Sequence, residues 1–407
     1  MSNILKWIHS IKANSGKFTV QWACTFLICM MAILIMTPLQ YSQGYVMMFG
    51  CGLLVLFCLL DRLIYQELIP FIVWSFFFLL YLVMQISSGG ILNIKNAAVM
   101  FISLSAVYFL SKKHSELKVK GYLFDVITMI LILFLVYELV YFAIVNFNQW
   151  EVRLSLENQT FPFGWNHVDV SIITACVFMI GMKRRLFIPS FLLAVLAAVI
   201  LPARTWMLFI ILFAVCYAFR KPIYKIMQWK FLKSTFVLFL ILILAVTVFG
   251  WIWLNILPNY MEVVDGHQGM YDSSNTERFV TILQAVEIIW KEHLFITGVD
   301  LVHMYQPLLQ KYGELNMLGP HNSYLSVLLY YSITFGGGYL YFFAKVIDSV
   351  KTKEMVPYIY PYLLCGCILH DNFIGLRFLL FALVLLVPFK EHKKMRHVKK
   401  YRYLKGI

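Results

Sequence analysis

Charged residues are scarce in this chain. Of its 407 residues, 13% are Asp, Glu, Lys or Arg, whereas 61% are hydrophobic. A soluble domain has about 25% charged residues and about 45–50% apolar ones, so this chain has too little polar surface to cover a water-facing globule. The composition excludes a soluble enzyme, a secreted disulfide scaffold, a disordered chain and a coiled coil as descriptions of the whole chain. It indicates a polytopic membrane protein.

The alternation of apolar and polar residues that is typical of transmembrane β-strands is also absent. The apolar stretches are continuous, as in residues 238–254 (LFLILILAVTVFGWIWL), and only a helix satisfies its own backbone groups along such a run in lipid. The sequence therefore predicts an all-α bundle of about twelve transmembrane helices. Their predicted bounds are 18–37, 41–60, 69–86, 91–110, 122–145, 166–182, 186–201, 203–219, 236–257, 321–344, 357–372 and 374–389.

The predicted organisation has four parts: helices one to nine (1–257), a long extracytoplasmic loop (258–320), helices ten to twelve (321–389) and a basic cytoplasmic tail (390–407). Within the loop, Ser274 or Asn275 is expected to cap an amphipathic helix that lies along the outer membrane face or packs on the bundle. Its apolar residues recur at helical spacing: Phe279, Ile282, Leu283, Val286, Ile289 and Trp290. In helix ten, the glycines 336–338 predict a close-packing or kink site.

The placement of positive charge predicts the orientation. With the N-terminus in the cytoplasm and twelve spans, all but seven of the 34 lysines and arginines fall on the cytoplasmic side, as the positive-inside rule requires. Both termini are then cytoplasmic. The basic clusters flank membrane helices and match no nucleic-acid-binding motif, so membrane lipid is the expected partner and nucleic acid is not. The seven on the outer side are Lys95, Arg153, Arg204, Arg278, Lys291, Lys311 and Arg377.

Familiar motifs of soluble catalysis are missing. The sequence has no nucleotide-binding glycine pattern, no Gly-x-Ser-x-Gly and no His-Glu-x-x-His. All eight cysteines fall within the predicted helices, and Cys365-Gly-Cys367 lacks the partners of a zinc site. We therefore expect neither a disulfide framework nor a metal or cofactor, and interpret the cysteines as small buried apolar residues.

Four pieces of the sequence follow one another along residues 160–389. The first is Phe163-Gly164-Trp165-Asn166-His167 with Pro202-Ala203-Arg204-Thr205, the second is the long late loop itself, and the third is Asn275-Thr276-Glu277-Arg278 with the stretch 290–298 (WKEHLFITG). The fourth and most specific is His321-Asn322-Ser323-Tyr324-Leu325. Together they resemble the O-antigen polymerase and ligase superfamily (Wzy-type polymerases and WaaL-type ligases), although Leu294 stands where the family usually has proline.

The resemblance implies a metal-independent glycosyltransferase of the bacterial inner (plasma) membrane that uses glycan linked to undecaprenyl diphosphate. A sugar hydroxyl attacks the anomeric carbon, and the lipid diphosphate leaves. The planar guanidinium of arginine donates two parallel hydrogen bonds to phosphate oxygens and so can bind the diphosphate. A histidine can act as the general base that takes the proton of the attacking hydroxyl. The implied catalytic residues are Arg204, Arg278 and His321. From their places at predicted outer helix ends, Arg377 is expected as a third diphosphate ligand, and Asn322, His167 and Asp169 are expected to bind sugar. The alternatives are snorkelling of Arg204 and Arg377 to headgroups, capping by Asn322, and structural roles for His167 and Asp169.

The resemblance leaves the reaction open in one respect. A polymerase adds repeat units to a growing lipid-linked chain, and it is favoured because His-Asn-Ser-Tyr-Leu resembles the polymerases more than the ligases. A ligase would hand finished chains to lipid A core or another acceptor. For either reaction, a chain-length regulator and a flippase are further expected partners. A flippase or other transporter of lipid-linked glycan is the alternative from a different class, although no internal repeat is evident.

Overall fold

The computed structural model describes residues 23, 25–37, 43–60, 68–88, 91–112, 121–146, 161, 166–201, 204–255, 273–291, 294–299, 319–369, 373 and 375–390. Within them every regular element is a helix, which confirms the all-α prediction. The helices are α1 (Thr25–Met36), α2 (Gln43–Leu60), α3 (Leu68–Ser88), α4 (Ile91–Lys112), α5 (Gly121–Val145), α6 (His167–Lys183), α7 (Phe187–Ile200), α8 (Arg204–Ala218), α9 (Arg220–Met227), α10 (Thr235–Asn255), α11 (Ser273–Lys291), α12 (Ser323–Val350), α13 (356–369) and α14 (Gly375–Leu386). The predicted cytoplasmic tail from residue 391 onward lies outside the described residues.

Five of the described helices are long and apolar enough to cross a membrane: α3, α4, α5, α10 and α12. A sixth results if α8 and α9, which meet at a bend of 85°, are counted together. Large apolar side chains such as Phe76, Leu133 and Leu244 are exposed on these helices, as expected where lipid and not water is the neighbour. These features are those of a multi-pass membrane protein, whereas the count of twelve spans stays a prediction.

Helix α12 is interrupted where the sequence predicts one continuous helix over 321–344. Ser332 has a φ of +73° and begins a π turn at Ser332–Gly336, after which the helix continues to Val350. A Cβ on Gly336 would lie 2.3 Å from the carbonyl oxygen of Val327, and one on Gly338 would lie 2.8 Å from the Trp74 ring. Of the two alternatives predicted for the glycines 336–338, close packing is therefore confirmed at Gly336 and Gly338.

Residues 294–299 satisfy backbone groups at this interruption. The amides of Ile333 and Thr334 donate to the carbonyl oxygens of Leu294 and Phe295, at 2.8 and 2.9 Å. In the other direction, the Val299 amide donates to Leu329 at 2.9 Å. Irregular backbone within a membrane protein needs such partners, so the stretch that follows α11 is an integral part of the α12 structure.

The predicted amphipathic helix is present as α11 and packs on the bundle. Ile282 forms a buried cluster with Val246 of α10 and Leu325 of α12. Two details of the prediction are wrong. The helix begins at Ser273, so Ser274 and Asn275 lie within its first turn and do not precede it. Trp290 is 80% exposed and so is not on the packed face.

At the end of α6 opposite Asp169, buried Lys183 and Arg184 and exposed Lys390 join α5, α6 and α14. The Asp125 carboxylate accepts hydrogen bonds from Arg184 Nε at 2.7 Å and Lys390 Nζ at 2.8 Å. Lys183 Nζ donates to the Val384 carbonyl oxygen at 2.7 Å. These three basic residues were all predicted to lie on the same, cytoplasmic side, and the contacts are consistent with their grouping at one end of the molecule.

Candidate functional site

One turn of α13 contacts the starts of several other helices. We call residues 362–368 the central turn. The Tyr362 hydroxyl donates to the carbonyl oxygen of Arg377, near the start of α14, at 3.2 Å. The Cys365 thiol donates to the carbonyl oxygen of Thr205, the second residue of α8, at 3.4 Å. The central turn therefore brings the starts of α8 and α14 to one place.

The central turn owes its shape to local sequence. Pro361 lies inside α13 and has no backbone donor, and the residues Tyr362–Gly366 that follow it form a π turn. Proline favours such irregularities because it cannot make the regular helical hydrogen bond, and π turns are frequent at functional sites. The Tyr362 ring is buried and stacks on Phe381 with ring centroids 3.7 Å apart, which fixes its hydroxyl towards α14.

Asn322 links the start of α12 to the same turn. Its side-chain oxygen accepts hydrogen bonds from the amides of Tyr324 and Leu325, both at 3.1 Å, and its side-chain nitrogen donates to the Ile368 carbonyl oxygen at 3.2 Å. The residue is completely buried. The geometry is that of an N-cap, so the capping alternative describes the observed position of Asn322, and the amide orders the backbone on which His321 lies.

His321 adopts a strained backbone conformation directly before this cap. Its φ is +43°, and its side chain is half-buried. Left-handed geometry costs a non-glycine residue about 1–2 kcal/mol, although histidine tolerates it better than most residues do. A strained residue persists only where the surrounding structure holds it in place, and such residues are concentrated at functional sites.

Asp169 and Arg377 form an ion pair between α6 and α14. Arg377 Nε donates to Asp169 Oδ1 at 2.7 Å, and Nη2 donates to the same oxygen. The two side chains are only 21% and 18% exposed. Asn166 caps α6 by accepting a hydrogen bond from the Asp169 amide at 2.8 Å. The sequence predicts both charged residues as substrate ligands but not their pairing, and the structure shows that the carboxylate orients the guanidinium.

The remaining predicted residues lie on helices that border this region. Arg204 begins α8, next to the Thr205 contact with the central turn, and its own side chain is outside the described part of the structure. Half-buried Arg278 lies one turn before Ile282, which packs against Leu325 near the start of α12. His167 is the first residue of α6 and is half-buried.

A narrow cleft lies between α6, α8 and α13. Its lining includes Ser171, one half-turn after Asp169, together with Thr205, Trp206 and Tyr362. The accessible surface of the cleft is apolar, because the Ser171 hydroxyl donates to the His167 carbonyl oxygen and the Tyr362 hydroxyl donates to that of Arg377. Tyr362 and Cys365 are the site residues that sequence reasoning missed, and Pro361 within an apolar segment was the signal that could have drawn attention to them.

Several predicted pieces lie outside the described residues: Phe163, Gly164 and Trp165 before α6, and Glu292 and His293 after α11. Among the residues that the structure does describe, no group of three His, Cys, Asp or Glu side chains is placed to hold a metal ion. Comparison of the chain with protein-family models, curated proteins and solved structures found no match. Function is therefore inferred from the motifs and contacts described above.

Proposed function

We propose that the chain is a glycosyltransferase of the O-antigen polymerase type. It transfers glycan from undecaprenyl diphosphate to a sugar hydroxyl of another lipid-linked repeat unit at the outer face of the bacterial plasma membrane. The observation that carries this proposal is the contact of the central turn with the starts of α8, α12 and α14. Those starts bear Arg204 and His321, which the motif resemblance implicates, and Arg377, which is a cation at the predicted outer end of a helix.

In this proposal three arginines stabilise the leaving diphosphate. Negative charge develops on the diphosphate as its bond to the anomeric carbon breaks, and fixed donors aimed at that charge lower the barrier. A guanidinium donates two parallel hydrogen bonds to phosphate oxygens and stays charged at every relevant pH. Arg204, Arg278 and Arg377 supply these donors. Asp169 acts as a positioning residue because it holds Arg377 on α14.

His321 is the proposed general base. Its neutral imidazole removes the proton from the attacking sugar hydroxyl as the oxygen bonds to the anomeric carbon. The bond from that carbon to the diphosphate breaks, and its electron pair leaves with the lipid diphosphate. The cap at Asn322 and the fixed left-handed φ of His321 support this role, since both limit the positions that the imidazole can take.

The test is to replace Arg204, Arg278 and His321 singly with alanine in the bacterium that encodes the chain. We expect each variant to reach normal membrane levels and to leave a single repeat unit on the final acceptor, because polymerisation is lost. Lys291→Ala is the matched control, since Lys291 is an exposed cation on the same helix as Arg278 and pairs with Glu287. Wild-type glycan ladders in all three variants would overturn the proposal. Long glycan that stays on undecaprenyl diphosphate would instead indicate the ligase reaction.

A further inference from the structure

Helix α9 lies across the end of α8. The two helices meet at 85°, and no residue of α9 (Arg220–Met227) is buried. A short helix that turns through nearly a right angle at the end of an apolar helix is placed to lie in the plane of a membrane interface. The sequence did not predict this helix, because residues 220–233 are too polar to form a span.

The surface around α9 carries one sign of charge. We call residues 219–233 the basic surface. It contains no Asp or Glu, and its five positive residues are Arg220, Lys221, Lys225, Lys230 and Lys233. Between them, Trp229 and Phe231 are 62% and 78% exposed. Exposed aromatic rings interleaved with lysines are typical of segments at the level of lipid headgroups.

Contacts with the bundle hold the basic surface in place. Ile223, Tyr224 and Met227, on the other side of α9, pack against the main core. After α9, Lys351 Nζ donates to the Lys233 carbonyl oxygen at 3.2 Å, and the Thr235 amide donates to Asp348 at 3.1 Å. The lysines and aromatic rings are thus presented on an anchored support and not on a free loop.

We propose that the basic surface binds the headgroups of anionic phospholipids. The lysines match the phosphate charge of the lipid, and Trp229 and Phe231 insert beside the headgroups at the depth where their rings are favoured. An acidic protein segment would match the charge equally but would leave the two exposed rings without an apolar neighbour. This inference is independent of the proposed glycosyl transfer, because it concerns the end of the molecule formed by the end of α8 and not the site at its start.

The test measures the binding of fluorescent phosphatidylglycerol and fluorescent phosphatidylcholine to the purified full-length chain in a neutral detergent. We expect tighter binding of phosphatidylglycerol at low salt and loss of this preference at high salt. The variant K221Q/K225Q/K230Q should weaken phosphatidylglycerol binding by at least about fivefold. The matched variant K112Q/K291Q/K345Q, which removes three lysines outside the basic surface, should change it less than twofold.

Three results would overturn the proposal: equal affinity for the two lipids, equal loss in both triple variants, or tight binding of a polyglutamate peptide with no preference among lipids. The last would identify a docking surface for an acidic protein. The substituted lysines are exposed, and the unfolding temperature of each variant in detergent checks that it is folded. A second variant, W229S/F231S, should weaken binding of both lipids while leaving the salt dependence unchanged.

Discussion

Arg377 donates two hydrogen bonds to Asp169, a residue 208 positions earlier in the chain. This pair ties the start of α14 to the start of α6 in a mostly buried setting. The backbone carbonyl oxygen of the same arginine accepts a hydrogen bond from the hydroxyl of Tyr362 in the central turn. The side chain and backbone of Arg377 therefore connect three helices at the candidate site.

Breaking this ion pair should destabilise the protein. We expect D169N and R377Q each to lower the free energy of unfolding by about 1–3 kcal/mol, because each leaves a partly buried charged group without its partner. The double variant should lose less than the sum, with a coupling free energy of about 0.5–3 kcal/mol. Denaturant unfolding in detergent micelles measures the free energy of unfolding of the wild type, the two single variants and the double variant. Strictly additive losses would show that the two side chains do not interact.

Replacing His321 should separate stability from activity. H321G relieves the left-handed strain at φ +43° and should raise the free energy of unfolding by about 0.5–1 kcal/mol. H321A keeps the strain and should not raise it. In the proposed mechanism both variants lose glycan polymerisation, since both lack the imidazole. Polymerisation by H321G would show that His321 is not the general base. An H321G variant with the same free energy of unfolding as wild type would show that the backbone of His321 is not strained.

The cap at Asn322 predicts a graded response. N322A loses the two hydrogen bonds that the Asn322 side chain accepts from the amides of Tyr324 and Leu325, and leaves the Ile368 carbonyl oxygen without this donor. It should therefore lower the free energy of unfolding by about 1–3 kcal/mol. N322S retains a capping hydroxyl and should cost less than N322A. Thermal unfolding of the purified variants orders them. Equal stability of N322A and wild type would contradict the structural role.

Two adjacent glycines in α12 provide a matched pair. A Cβ on Gly336 would meet the Val327 carbonyl oxygen at 2.3 Å, whereas one on Gly337 would meet nothing within 4 Å. G336A should therefore lower the unfolding temperature, because the backbone at the π turn must shift to admit the methyl group. G337A should leave it unchanged or raise it, since alanine favours helix over glycine by about 1 kcal/mol. The reverse order would contradict the described packing of α12.

The apolar runs of the sequence were sufficient to predict several helices closely. The prediction of 122–145 compares with Gly121–Val145, and that of 236–257 compares with Thr235–Asn255. In both cases a long uninterrupted run leaves no alternative to a helix in lipid. Local chemistry also predicted the close packing at residues 336–338, because three successive glycines have little other use within a helix.

Features that depend on contacts between distant segments were not predictable. The break at Ser332 requires residues 294–299 as backbone partners, and no local pattern in the sequence joins these stretches. The pairing of Asp169 with Arg377 likewise arises from the packing of α6 on α14. Candidate site residues could be named from motif resemblance, but only the fold shows that a turn after Pro361 contacts the helix starts that carry them.

The most direct measurement incubates the purified chain with lipid-linked repeat units extracted from a strain that lacks it, and follows the length of the glycan on undecaprenyl diphosphate. We expect the wild-type chain to elongate the units without any other protein, and folded H321G and R204A variants not to do so. Movement of units across vesicles without new glycosidic bonds, or elongation by both variants at the wild-type rate, would contradict the proposed glycosyl transfer.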